Sequence, residues 1–567
     1  MTLVAHLIGA ELGRFKWLLL GWLVIEATAT TLSGIQPTFS ARARLFELIG
    51  IVTNLLWLAE FLLFIVMIPL VVQADPLVGT DAFWMTRPIP PRALLSAKGI
   101  FLAVVVAVAP IVAESAVMIA YRVPLTDVSR VAVQNAVYQM LWLTIIMAAA
   151  SVTPTLARYA LLFAGAAIGL ALLEAVTQLI QTSIGRHVPL LPAFPEPANP
   201  TASLMLLLLL TAAALGMIAV QYATRSWVRS APVGVVAVIL AIYASGHWRW
   251  EFFGGPPVVP QWAQEQSALQ LFSIPGTVKA EPPSDYFGSK NALRSVRAQV
   301  RLGALPAGWS ARAKLEGGKL QLLDGRRVTS WGIYATHVLM AGEAAPGSLL
   351  SETLLDVDRS LDSGPEEDEA IVVLSLLDHE LTRLGQAHGR YDGRFRIELT
   401  HHEVEAIVPL KLGAVHQRGA FRIRIDAVRR DGLRSVSVLA HESAASSIFD
   451  REGQPARLYY LRNPQRREAI LGRTNYQSTG TPIPRALPMA IHNDEQTGFS
   501  ARAAELSFGS HRRQAESDPA LDDGWLAGAE LIIVRASDRG AVERTLAIDD
   551  FSIPAPTKSS SRLSMAQ

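Results

Sequence analysis

The alternation of apolar and polar positions divides the chain into two unlike parts. Up to about residue 250 the pattern is long apolar runs broken by short polar stretches. Seven runs approach the roughly 20 residues that a helix needs to cross a bilayer core: about 15–35, 50–73, 99–120, 131–151, 158–181, 202–222 and 232–248. Beyond 270 the period drops to two. SVRAQVRLG (295–303), AIVVLSL (370–376), GRFRIELTH (393–401), GAFRIRIDAV (419–428), RSVSVLAH (434–441) and AELIIVRAS (529–537) read as strands bounded by turn residues. The expected fold is multi-domain: an α-helical polytopic membrane domain of about seven spans over 1–250, then an all-β, sandwich-like region. A Gly/Pro linker (251–270) leads from the membrane domain into two β-rich domains, 271–390 and 391–556, and 557–567 reads as a disordered tail.

Charge follows the same division. Residues 1–250 carry 14 Lys and Arg and 10 Asp and Glu, and the remainder carry 37 and 39. Neither part has the basic excess of a nucleic-acid binder, so that class is set aside. The chain has no cysteine, which excludes disulfides, thiolate metal sites and cysteine nucleophiles.

Arg14 and Lys16 precede WLLLGWLVI as in a signal peptide. No small-residue cleavage site follows, however, and Glu26 lies inside the apolar segment, so the reading is a retained helix. An N-terminus in the cytoplasm places Arg14, Lys16, the basic residues of 74–98, Arg158, Arg225 and Arg229 inside. Arg42, Arg44, Arg122, Arg130 and Arg186 then lie outside. If the short seventh run crosses, the β-rich region also lies outside the cytoplasm. Four acids fall within apolar runs: Glu26, Glu60, Glu114 and Glu174. Each costs about 2.5–3.5 kcal/mol in mid-span when unpaired, so they should face the bundle interior, either along a proton or substrate path or in interhelical hydrogen bonds.

No G-x-x-x-x-G-K-[ST], H-E-x-x-H or G-x-S-x-G occurs; Gly498-Phe499-Ser500-Ala501-Arg502 fails the last at its final position. Leu32-Ser33-Gly34-Ile35-Gln36 looks like an ATPase signature but has no nucleotide domain around it. No catalytic residue, cofactor or metal is assigned. On a regular strand His401, Glu403 and Glu405 share a face while His402 points away. An exposed polar face is the commoner reading of such a set than a metal site. Asp378-His379-Glu380 and His441-Glu442 are weaker sets.

The longest polar interruption of the apolar part is VVQADPLVGTDAFWMTRPIPPRALLSAK, residues 71–98. Pro76 drives Ala74-Asp75 out of helix. Asp81 is placed to cap a short turn bearing Phe83 and Trp84. Thr86 to Pro91 must be extended. From chemistry alone this is either a rigid membrane-surface connector or an amphipathic docking element.

The pattern D-x5-D-x-F-W-x-T-R-P-I, followed by L-L-x-A-K and a new apolar helix, resembles the membrane subunits of type-2 ATP-binding-cassette exporters. The resemblance spans roughly residues 10–225 and is clearest over 75–98. It implies a coupling helix that docks on a separate ATPase, with Asp75, Asp81, Phe83, Trp84, Arg87 and Pro88 as the ATPase-coupling residues. It implies further a permease dimer in a bacterial inner membrane, among membrane lipids, that moves a substrate outward. The seventh run and the β-rich region depart from that family; a periplasmic β-rich region would meet substrate or an envelope partner. The alternative is a membrane-anchored scaffold or sensor whose β-rich region binds a partner, and an ion-coupled transporter ranks third.

Overall fold

The computed structural model describes residues 2–36, 43–74, 90–153 and 200–224 of the helical part, with short pieces between 155 and 240. Beyond these it describes 259–265, 269–280 (275 excepted), 293–302, 305–330, 339–341, 354–360, 370–377, 387–430, 435–446, 456–477, 498–509 and 521–553, with a few positions around 381–384. Helices α1 (Thr2–Ile35), α2 (Ala43–Gln73), α3 (Pro91–Leu102), α4 (Ala109–Ala120), α5 (Leu125–Val152) and α6 (Pro200–Thr224) make up the first part. A π-helical turn, Ala103–Val108, joins α3 to α4, so Pro91–Ala120 is one helix with a wide turn at its middle and Pro110 just beyond.

Among the described residues four helices are long and apolar enough to cross a membrane, where seven were expected: Leu3–Ile35, Arg44–Gln73, Ala93–Ala120 and Leu125–Val152. The sixth run is helical, within the 25-residue α6. The fifth and seventh runs fall largely outside the described residues. The helices also begin earlier than hydropathy alone indicates, since α1 starts 13 positions before the apolar run at 15. Backbone hydrogen bonds propagate a helix through polar residues once it is nucleated.

The apolar residues of α2 show two fates. Phe64, Met67, Ile68 and Val71 are buried with Phe101, Leu143 and Ile146 in the bundle core, while Leu48, Ile51, Leu55, Leu58 and Leu62 form an exposed helical stripe. An apolar stripe of that length is unfavourable in water and suits hydrocarbon.

The second part contains three sheets. β1 (Leu271–Ser273), β3 (Leu293–Leu302) and β2 (Lys279–Ala280), with β8 (Ala370–Leu377) also on β3, form a four-stranded sheet. A five-stranded sheet has the order β10 (Val415–Arg418), β11 (Phe421–Arg430), β12 (Ser435–Ser446), β16 (Gly498–Gly509), β15 (Arg473–Gln477). The largest has eight strands: β5 (Arg327–Ser330), β4 (Trp309–Leu322), β9 (His388–Pro409), β17 (Glu530–Ser552), β13 (Ala456–Asn463), β14 (Glu468–Leu471) and β7 (Arg359–Ser360), with β6 (Leu339–Ala341) on β4. All six strands expected from alternation are present.

The pair β9 and β17 runs the length of the eight-stranded sheet and serves two cores. At one end Tyr391, Phe395, Ile397 and Phe551 pack on Val296, Val300 and Val373 of the four-stranded sheet. At the other, Val408, Leu531 and Ile533 pack on Ile423, Val438, Leu506 and Phe508 of the five-stranded sheet. Bulges between Ile533 and Val534, Asp538 and Ala541, and Ile548 and Phe551 let so long a ladder twist between the two packings. The result is sandwich-like layers, not a closed barrel, with the eight-stranded sheet drawing strands from both sides of residue 390.

Candidate functional site

The segment singled out in the sequence leaves and re-enters the bundle at one end, and there the side chains are tied down. Asp75, Asp81, Phe83, Trp84, Arg87 and Pro88 themselves lie outside the described residues. Their flanks do not. Pro91 opens α3 at a position where a missing N–H costs nothing. Two turns on, Lys98 is 1% exposed. Its Nζ donates to the carbonyls of Val71 (2.6 Å) and Val72 (3.2 Å) in the last turn of α2 and lies 3.9 Å from the Glu11 carboxylate of α1. A helix leaves its final carbonyls without intrahelical partners, and a cation there meets both that need and the helix dipole. Beside it Gln73 Nε2 donates to Thr153 O (3.0 Å) and Thr153 Oγ1 (3.1 Å), joining the end of α2 to the end of α5. Both anchors of 75–89 are therefore held by polar contacts, buried at Lys98 and half-buried at Gln73.

Three of the acids within the apolar helices are buried: Glu26, Glu60 and Glu114 are 2%, 4% and 6% exposed. Glu26 accepts from Thr30 Oγ1 (3.1 Å), and Glu114 accepts from Asn135 Nδ2 of α5. Glu174 lies outside the described residues. Sequence reasoning missed the buried Glu11 and put Lys98 with the surface stretch, because a lysine next to a polar segment reads as solvated. The one available signal was its spacing from Pro91, which places it two turns inside the new helix.

The opposite end of the bundle carries the β-rich region. Tyr121, just past α4, donates its hydroxyl hydrogen to Gly34 O at the end of α1, and its oxygen lies 3.3 Å from His441 Nε2 of β12. A phenol has one hydrogen, so His441 is the Nε2–H tautomer and donates to Tyr121. Phe499 of β16 meets the same ring edge-on. A Cβ on Gly34 would come within 3.1 Å of a Val117 methyl, a tight contact, so α1 and α4 pass closely here. Gln417 Nε2 of β10 donates to Arg122 O (2.9 Å). Ser435, Ser437, His441 and Ser443, which alternation assigns to a solvent face, are buried.

Burial holds His441 neutral, with its pKa pushed down to about 4, and pushes the Tyr121 phenol up to about 12. His402 is also lowered to about 4, by burial first and then by His401. Both imidazoles bind a proton more readily in the unfolded chain, near pH 6.5. Their contribution to stability is thus complete above that pH and is lost as pH falls toward 4. Thermal midpoints recorded across that window are expected to drop, and His441→Gln should flatten part of the drop.

Asp378-His379-Glu380 lies outside the described residues, and the other histidine–glutamate sets do not converge. The bulge opposite Ile533 and Val534 turns Glu405 out of line, where it binds Arg457. Glu403 lies 3.7 Å from Arg535, His401 packs on the Trp309 ring, and His402 Nε2 is 2.7 Å from Ser310 Oγ. Glu442 points to the opposite face from His441, toward Arg502 at 3.6 Å. Among the described residues no group of three or more His, Asp or Glu is placed to hold a metal. No family model matches the chain, and no curated protein or solved structure matches it either.

Proposed function

We propose that the chain is the permease subunit of an ATP-binding-cassette export system. It would work as a dimer with a separate ATPase that binds segment 75–89. The observation that carries this reading is the clamp at the flanks of that segment. Lys98 and Gln73 tie the ends of α2, α3 and α5 together, so a push on 75–89 reaches several spans at once. Pro91–Ala120 then runs from that clamp to Tyr121, with a π turn between them, a feature often found at functional sites in helices. The β-rich region, on the outer side of a bacterial inner membrane, meets substrate or an envelope partner.

The test is co-purification from the native membrane. An ATPase should accompany the wild-type chain and be lost from Trp84→Ala or Arg87→Ala, with membrane insertion unchanged. A full ATPase complement in both variants would remove the reading. A membrane-anchored scaffold or sensor is the second reading, favoured by the docking of the five-stranded sheet on Tyr121. It predicts a bound envelope partner and no ATPase.

A further inference from the structure

We infer that the edge of the five-stranded sheet rests on the membrane through arginines that bind lipid headgroup phosphates. The level of the membrane surface follows from the turn after α4. Ile119 and Leu125, on either side of it, are 53% and 72% exposed, as lipid-facing residues are, and Arg122 lies between them. Gln417 holds β10 against the Arg122 carbonyl, and the β10–β11 register sets Gln417 opposite Arg422 and Val415 opposite Arg424. Arg122, Arg422 and Arg424 therefore gather at headgroup depth beside Tyr121, whose phenol feels the charges of Arg424 and Arg422. Within the cluster Asp426 is bonded to Arg424 at 2.7 Å.

Arg122 also has a φ of +61°, in a helix-end position where glycine fits without strain. A bulky side chain held there against its backbone preference points to a use for its charge. Planar guanidiniums suit phosphate oxygens through paired N–H donors. The inference needs the bundle to lie in a membrane; it does not depend on an ATPase partner.

The chain has no native cysteine, so Val415→Cys can be labelled with bimane in the full-length protein in nanodiscs containing phosphatidylglycerol. A nitroxide on the lipid headgroup should quench this label strongly. In Arg122→Gln/Arg422→Gln the ratio of docked to undocked label should fall about fivefold or more per arginine removed. Arg122→Lys/Arg422→Lys should retain most of the quenching, which separates lost charge from lost fold. An unquenched label with the native arginines, or equal quenching in the glutamine variant, would overturn the inference. So would loss of quenching on adding inorganic phosphate at constant ionic strength, since the site would then bind the free anion.

Discussion

Replacing Lys98 with methionine is expected to destabilise the helical part by about 3–5 kcal/mol, the range for breaking a buried charge pair from one side. Methionine fills nearly the same volume, so the loss is electrostatic. The last-turn carbonyls of α2, at Val71 and Val72, lose charge-assisted donors at 2.6 and 3.2 Å, and Glu11 loses the cation beside it. The measurement is the thermal midpoint of detergent-purified protein, with Glu11→Gln/Lys98→Met recovering part of the drop. The same variant should weaken ATPase capture even though Lys98 lies inside the bundle, because the flanks of 75–89 would no longer be held. A Lys98→Met chain with the wild-type midpoint would show that the clamp carries no load.

The second large effect lies between the β-sheets. Arg457 and Glu405 are bonded through two contacts, 2.8 and 3.3 Å, with side chains only 7% and 4% exposed. The guanidinium also lies 3.6 Å over the Phe421 ring, so one side chain spans from the eight-stranded to the five-stranded sheet. Arg457→Met leaves the Glu405 carboxylate buried without that partner, again at a cost of about 3–5 kcal/mol. Adding Glu405→Gln should return a large share, because the uncompensated charge is then gone. Denaturant unfolding followed by tryptophan fluorescence would report both, since Trp525 lies in the same core. If the double variant were no more stable than Arg457→Met, the pair would not be the source of the effect.

Hydropathy and alternation determined the broad plan. Burying twenty apolar residues or alternating faces is a one-dimensional demand, so the membrane-length helices and the six expected strands follow from neighbours in sequence. The inward-facing acids Glu26, Glu60 and Glu114 were legible for the same reason, as a charge in hydrocarbon has only one tolerable direction. The polar stretch 71–98 stood out by composition, and its docking role came from the resemblance over 75–98. What it is anchored to was not legible. Lys98 meets Val71 and Glu11 across 27 and 87 positions, and no local pattern distinguishes a lysine that will be buried from one that will be solvated.

The tertiary structure decided the rest. A bulge moved Glu405 off the face that His401 and Glu403 were expected to share and gave it to Arg457. The seat of the five-stranded sheet on Tyr121 meets the buried His441, which alternation assigns to water, because coverage of a sheet's second face depends on a partner far away in the chain. Periodicity is a property of a segment, whereas pairing of charges and coverage of faces are properties of the packed molecule. That difference is why the sequence alone set out the helices and strands, and only the folded chain placed a clamp at one end of the bundle and a docked sheet at the other.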